Sequence, residues 1–118
     1  MSLGKSIFVS FLRAPVGSTH FVEGLRVAGG LVRSEDHHQV TLAFMGKGAL
    51  CAIKGVDRSY AVKFLDFFPA KEGKKFLVEE ESLREQGVDR SQLAEEFAVV
   101  SRKGLSEVMR KADLCISF

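Results

Sequence analysis

The sequence predicts an α/β fold, three-layer α/β/α with a five-stranded, largely parallel sheet. Three observations carry this. Short apolar runs rich in β-forming residues recur along the chain without strict alternation, as in strands buried on both faces. Segments with helical apolar spacing separate them, and alternating strands and helices imply right-handed crossovers and a parallel sheet. Hydrophobic residues make up 46% and charged residues 27% of 118 residues, which excludes a disordered chain and gives one domain enough core to fold without staples.

Each element follows from its residues. Ser6-Ile7-Phe8-Val9-Ser10-Phe11-Leu12 is a buried strand. Pro15 and Gly17 then make a loop, and Ser18 or Thr19 caps a helix whose face is Phe21, Leu25, Ala28 and Val32. Gly29 and Gly30 weaken that helix, but their size permits close packing on the sheet. Val40 to Phe44 is the second strand, Met45 to Gly48 a turn, and Ala49 to Ile53 a short helix stopped near Gly55. Ser59 caps a further helix with Ala61, Phe64, Leu65 and Phe68 on its face, ended by Pro69. Lys75 to Val78 is the third strand. Ser82-Leu83-Arg84-Glu85 has the form of a capping box, with Gly87 as a left-handed C-terminal cap. Ser91 to Glu96 forms another short helix, and Phe97 to Val100 the fourth strand. Leu105, Val108, Met109 and Ala112 face inward from the last helix, and Leu114 to Phe118 is the fifth strand.

Composition narrows the function. A net charge of +2 gives no electrostatic footprint for nucleic acid. No apolar stretch is long enough to span a membrane, and Met1 to Lys5 lacks the apolar core and cleavage site of a signal peptide. Two cysteines do not make a disulfide framework, and with three histidines they match no zinc spacing. A reduced, cytoplasmic protein without metal or cofactor is expected.

Parallel sheets present ligands at the C-terminal ends of their strands. Here those ends are Arg13 to Ser18, Met45 to Gly48, Glu79 to Ser82 and Ser101 to Gly104. Glu79-Glu80-Glu81 reads either as a functional carboxylate or as a solvated acidic loop that favours the positive start of the next helix. Cys51, near a helix start and close to Lys47 and Lys54, is either an activated thiol or a small apolar residue beside Leu50 and Ile53. Cys115, between Leu114 and Ile116, reads as a buried small hydrophobe. Arg13, Gly17 and Ser18, with Gly46, Lys47, Gly48 and Ser82, can line an anion pocket, although the P-loop spacing is missing. His37-His38 beside Glu35 and Asp36 reads as a solvated turn. Ten Phe, with Phe67-Phe68 adjacent, either fill the core or leave apolar surface for association.

The order of these motifs resembles the DsrE/DsrF-like sulfur-relay family over nearly the whole chain. The matching stretches are Ala14-Pro15-Val16-Gly17-Ser18, Glu23-Gly24-Leu25, Ala43-Phe44-Met45-Gly46-Lys47-Gly48, Lys54 to Ser59, Ser82-Leu83-Arg84-Glu85-Gln86-Gly87-Val88 and Ala112 to Phe118. The first loop is closest to the DsrF/TusC branch. The resemblance implies a small subunit, residues 1–118 as a single domain, that assembles as a homo-oligomer (trimer or hexamer) or a hetero-oligomer and works with a sulfur-donor protein. It also implies a sulfur-carrying cysteine directly after the third strand, three residues before the Ser-Leu motif. That position is Glu79. A carboxylate cannot become a persulfide. The expected role is therefore a non-catalytic or partner-positioning subunit in intracellular sulfur trafficking. The alternatives are a divergent persulfide sulfurtransferase using Cys51 and a small anion-binding module.

Overall fold

The computed structural model describes residues 4–55 and 62–118. Five strands form one sheet: β1 (Ser6–Phe11), β2 (Gln39–Phe44), β3 (Phe76–Glu79), β4 (Phe97–Val100) and β5 (Leu114–Ser117). Every pairing is parallel, in the order β4-β3-β2-β1-β5. The helices are α1 (Thr19–Val32), α2 (Val62–Leu65), α3 (Glu80–Glu85) and α4 (Arg102–Lys111), with 3₁₀ segments at Gly46–Ala52 and Arg90–Gln92.

The order of strands decides how the faces are covered. From β1 to β4 each strand is laid beside the one before it, always on the same side. Right-handed crossovers then put their connections on one face. The return from β4 to β5 crosses the sheet in the opposite sense, which puts α4 on the other face. The period-two alternation of side chains sorts the strands accordingly. Ile7, Val9 and Phe11 join Leu42, Phe44, Phe76, Val78 and Phe97 in the main core with Phe21, Leu25 and Ala28 of α1. Phe8 and Ala43 face the other way and meet Leu105 of α4 in a second, smaller core.

Phenylalanine builds the main core. Phe11 stacks on Phe44 at 5.0 Å between centroids, and Phe97 meets Phe44 and Phe76 at 5.5 and 5.2 Å. Phe8, Phe11, Phe21, Phe44, Phe68, Phe76 and Phe97 are buried, and Phe64, Phe67 and Phe118 are half-buried. The Phe67 ring carries the Arg33 guanidinium 4.3 Å from its centroid. The phenylalanines thus mostly fill the core, and the pair at 67–68 is not an exposed patch.

Local chemistry sets the boundaries. Ser18 caps α1 by accepting the Phe21 N–H at 3.2 Å. The close approach of α1 to the sheet is made at Gly24, where a Cβ would stand 2.6 Å from both the Phe11 and Phe118 rings, and not at Gly29, which packs against Phe67 and Phe64 instead. Gly30 faces open space. A 3₁₀ segment beginning at Gly46 replaces the short helix expected from Ala49. It lies so tight on β1 that a Cβ on Gly48 would sit 2.1 Å from the Phe11 carbonyl oxygen. The helix expected from Ser91 to Glu96 reduces to Arg90–Gln92. Beyond it the chain is drawn out against residues 52–54: Lys54 N–H donates to Gln92 O and Ala94 N–H to Ala52 O, both at 2.8 Å. Ser59 and Ala61, expected in the α2 helix, lie outside the described residues; Leu65 and Phe68 are buried as expected.

Candidate functional site

β3 ends at Glu79, and α3 begins at the next residue with Glu79 as its N-cap. This corrects the expectation that Ser82 starts the helix. Ser82 lies inside it, one turn on, and both Glu79 and Ser82 are 1% exposed. Two residues three apart at a helix start face each other. Ser82 Oγ donates to Glu79 Oε1 at 2.5 Å and accepts the Gly46 N–H at 2.7 Å. Gly87, with φ 71°, occupies the left-handed position past the helix end, as expected.

The second partner of Glu79 comes from β4's continuation. β3 and β4 are neighbours, so the first residue of α4 stands beside the end of β3. Arg102 Nε donates to Glu79 Oε2 at 3.2 Å, and its Nη2 to Glu79 Oε1 at 3.0 Å. This fork on a carboxylate is the geometry arginine is built for. Nη2 also reaches Glu85 Oε1 at 3.2 Å, and the Arg102 backbone N–H donates to Glu81 Oε1 at 2.8 Å. Burial alone pushes the Glu79 carboxyl up. The hydrogen bonds from Arg102 and Ser82 and the charge of Arg102 together outweigh it, holding the group below its ordinary range. The same pairing with Glu79 and Glu85 keeps Arg102 charged.

Glu79-Glu80-Glu81 is therefore not one solvated loop. Glu79 is buried and paired. Glu80 lies between Arg84 at 3.6 Å and Arg90 at 3.1 Å. Glu81 caps the start of α4. Three adjacent carboxylates take three different jobs because a strand turns into a helix at the first of them.

The other candidates scatter along the same edge or away from it. Arg13, Gly17 and Lys47 are exposed. The Ser18 hydroxyl serves the α1 cap, the Gly46 N–H serves Ser82, and Gly48 is buried against β1. Of the expected ligand set, Gly46 and Ser82 are brought into contact. Cys51 is fully buried in the main core. Cys115 is exposed, against the expectation of burial, because β5 is an edge strand. Its Sγ lies 3.6 Å from the Met109 carbonyl oxygen. His37 is exposed, while His38 is half-buried with Nδ1 accepting the Lys5 N–H at 2.9 Å. Among the described residues no group of His, Cys, Asp and Glu could hold a metal ion, and no helix is long and apolar enough to cross a membrane.

Arg102 lies in the strand end Ser101 to Gly104 that the sequence points to, but its pairing with Glu79 was not read there. Its signal was an arginine opening the helix after the fourth strand. Reading it required knowing that the third and fourth strands are neighbours.

The chemistry this arrangement offers is that of a strut. Both Glu79 oxygens are engaged by donors, the carboxylate is ionised, and no thiol stands at the end of β3. The network fastens one strand end to the starts of two helices.

No match is found among curated protein sequences. Among solved structures, the chain is similar to the YchN protein of E. coli, with a TM-score of 0.81 at 19% identity over 97% of this chain and 99% of that one. It is also similar to MTH1491, described as a protein of unknown function from Methanobacterium thermoautotrophicum, with a TM-score of 0.63 at 18% identity over 98% and 99% of the two chains. At these identities the likeness is one of fold, the five-stranded α/β architecture described above. The family model for DsrE/DsrF-like proteins matches residues 5–118, and the chain belongs to the DsrE/DsrF-like family.

Proposed function

We propose that this protein is a non-catalytic, partner-positioning subunit of an intracellular sulfur-trafficking assembly. The observation that carries the reading is Glu79. Where the family resemblance puts a sulfur-carrying cysteine, this chain has a buried carboxylate locked to Ser82 and Arg102. A carboxylate forms no persulfide, and its acceptor atoms are occupied. The edge that would handle sulfur is instead a fixed surface suited to holding a neighbouring subunit. Cys51, the alternative carrier, has no solvent-facing surface. A persulfide there would have to form inside the main core, out of a donor's reach.

Intact-protein mass after exposure to a persulfide-generating cysteine desulfurase tests this. Wild type and Cys51→Ser are expected to gain no thiol-reversible sulfur while a control carrier does. A gain in wild type that vanishes in Cys51→Ser makes the protein a sulfurtransferase and removes the proposal.

A further inference from the structure

We infer that the first rung between β1 and β2 is a pH-sensitive latch, in which the neutral His38 ring holds the Lys5 N–H and the protonated ring releases it. This corner lies at the N-terminal ends of the strands, the opposite end of the sheet from Glu79, and the sulfur reading does not depend on it. β1 and β2 run parallel with Ser6 opposite Gln39. One step back, Lys5 stands opposite His38, and the Gln39 N–H donates to Lys5 O at 2.9 Å. A regular parallel ladder would continue with the Lys5 N–H donating to the carbonyl of residue 37. His37, however, is in the left-handed region with φ 59°, and its carbonyl oxygen lies against Gly4. The Lys5 N–H donates instead to Nδ1 of the His38 ring, at 2.9 Å. A side chain has taken the place of a main-chain acceptor in the ladder.

The two kinds of acceptor differ chemically. A carbonyl oxygen accepts at any pH. An imidazole nitrogen accepts only while it carries no proton, and in the charged ring both nitrogens are donors. Accepting at Nδ1 fixes the neutral tautomer as the one with its proton on Nε2. That nitrogen stands 3.9 Å from Asp36 Oδ2, a contact that the charged ring keeps. Protonation therefore adds an N–H at Nδ1 and sets it against the Lys5 N–H, donor to donor. The ring is 14% exposed, enough for a proton to reach it and little enough to hold it in one place. The other titratable groups at this corner are engaged elsewhere or exposed. Asp113, at the head of β5, accepts the Ser6 N–H at 2.8 Å on the far side of β1. Lys5, Glu35, Asp36 and His37 are exposed. Imidazole is the side chain that changes charge between about pH 5 and about pH 8, so this rung opens while carboxylate acceptors still hold theirs.

Heteronuclear NMR of the full chain from about pH 8 to about pH 5 tests the inference. The ring nitrogen shifts are expected to show the neutral His38 protonated at Nε2. The Lys5 amide is expected to follow the titration of that ring. Its exchange protection, referred to the unprotected rate at each pH, should fall about tenfold as one hydrogen bond is lost. His38→Asn puts a non-titrating oxygen where Nδ1 stands and is expected to keep the Lys5 amide protected throughout. His38→Ala is expected to leave it unprotected throughout. His38 belongs to neither core, so both variants keep the fold. His37→Asn, which suits a left-handed backbone, is expected to leave the pH response intact. A neutral ring protonated at Nδ1, a Lys5 amide that ignores the titration of His38, or a response that persists in His38→Asn overturns the inference.

Discussion

Replacing Glu79 with glutamine keeps the size of the side chain and removes the charge facing Arg102. The Ser82 hydroxyl can still donate to the amide oxygen, but the arginine fork loses its carboxylate and a buried hydrogen-bonding network is left partly mismatched. Glu79→Gln is expected to destabilise the protein by about 1–3 kcal/mol at neutral pH, read from urea unfolding. The pH dependence has a fixed sign. The folded-state pKa of Glu79 is lowered, so its contribution is present above the unfolded carboxylate pKa and is lost as pH falls through the folded value. Wild type should therefore lose more stability than Glu79→Gln on acidification below the ordinary carboxylate range. Equal losses would mean that Glu79 is not ionised in the fold. Ser82→Ala removes the donor to Glu79 and leaves the Gly46 N–H without its acceptor, and is expected to cost about 1–3 kcal/mol by the same measurement. At this scale the sequence disclosed the carboxylate but not its environment. Three consecutive glutamates look solvated in one dimension. Their separation into buried, ion-paired and capping roles depends on where β3 turns into α3 and on Arg102, which lies 23 residues away in the chain.

Elements were legible where apolar periodicity was strong. The five strands and α1 stand close to their expected positions because buried apolar runs and the Ser18 cap leave little choice. The short helices were not legible to the same degree. Ser82-x-x-Glu85 satisfies a capping pattern on paper, yet β3 ends three residues earlier and Glu79 takes the cap position. Ser91 to Glu96 has helical composition, but pairing with residues 52–54 stretches it out. Within α1 the glycines make opposite predictions. Gly24→Ala forces a methyl group into the Phe11 and Phe118 rings and is expected to destabilise by about 1–3 kcal/mol. Gly30→Ala points into open space and is expected to stabilise by about 0.5–1 kcal/mol through helix propensity alone. Thermal unfolding of the two variants, run side by side, checks both signs.

Across the molecule, stability is divided unequally between the two faces. The main core unites β1 to β4 with α1 and α2, whereas α4 is held by Leu105 packed on Phe8 and Ala43 and by the network at its first turn. Amides of α4 and β5 are therefore expected to exchange with solvent through a cheaper opening than those of β1 and β2, measured by native-state hydrogen exchange. Leu105→Ala should lower that opening further, by about 2–5 kcal/mol at most of its effect. The parallel sheet and its two helical layers could be anticipated from the alternation of elements. The strand order could not, because nothing in a linear reading says that the last strand returns to the first. That return has a consequence for synthesis. As the chain leaves the ribosome, β2, β3 and β4 are each made after the strand they pair with, so the first four strands can assemble in step with translation. β5 has to find β1 across more than a hundred residues, and until residues 112–118 emerge the outer side of β1 has no strand beside it. Until then the growing chain carries an open edge on a strand that is buried along almost its whole length in the fold. That interval is where a chaperone would be needed most.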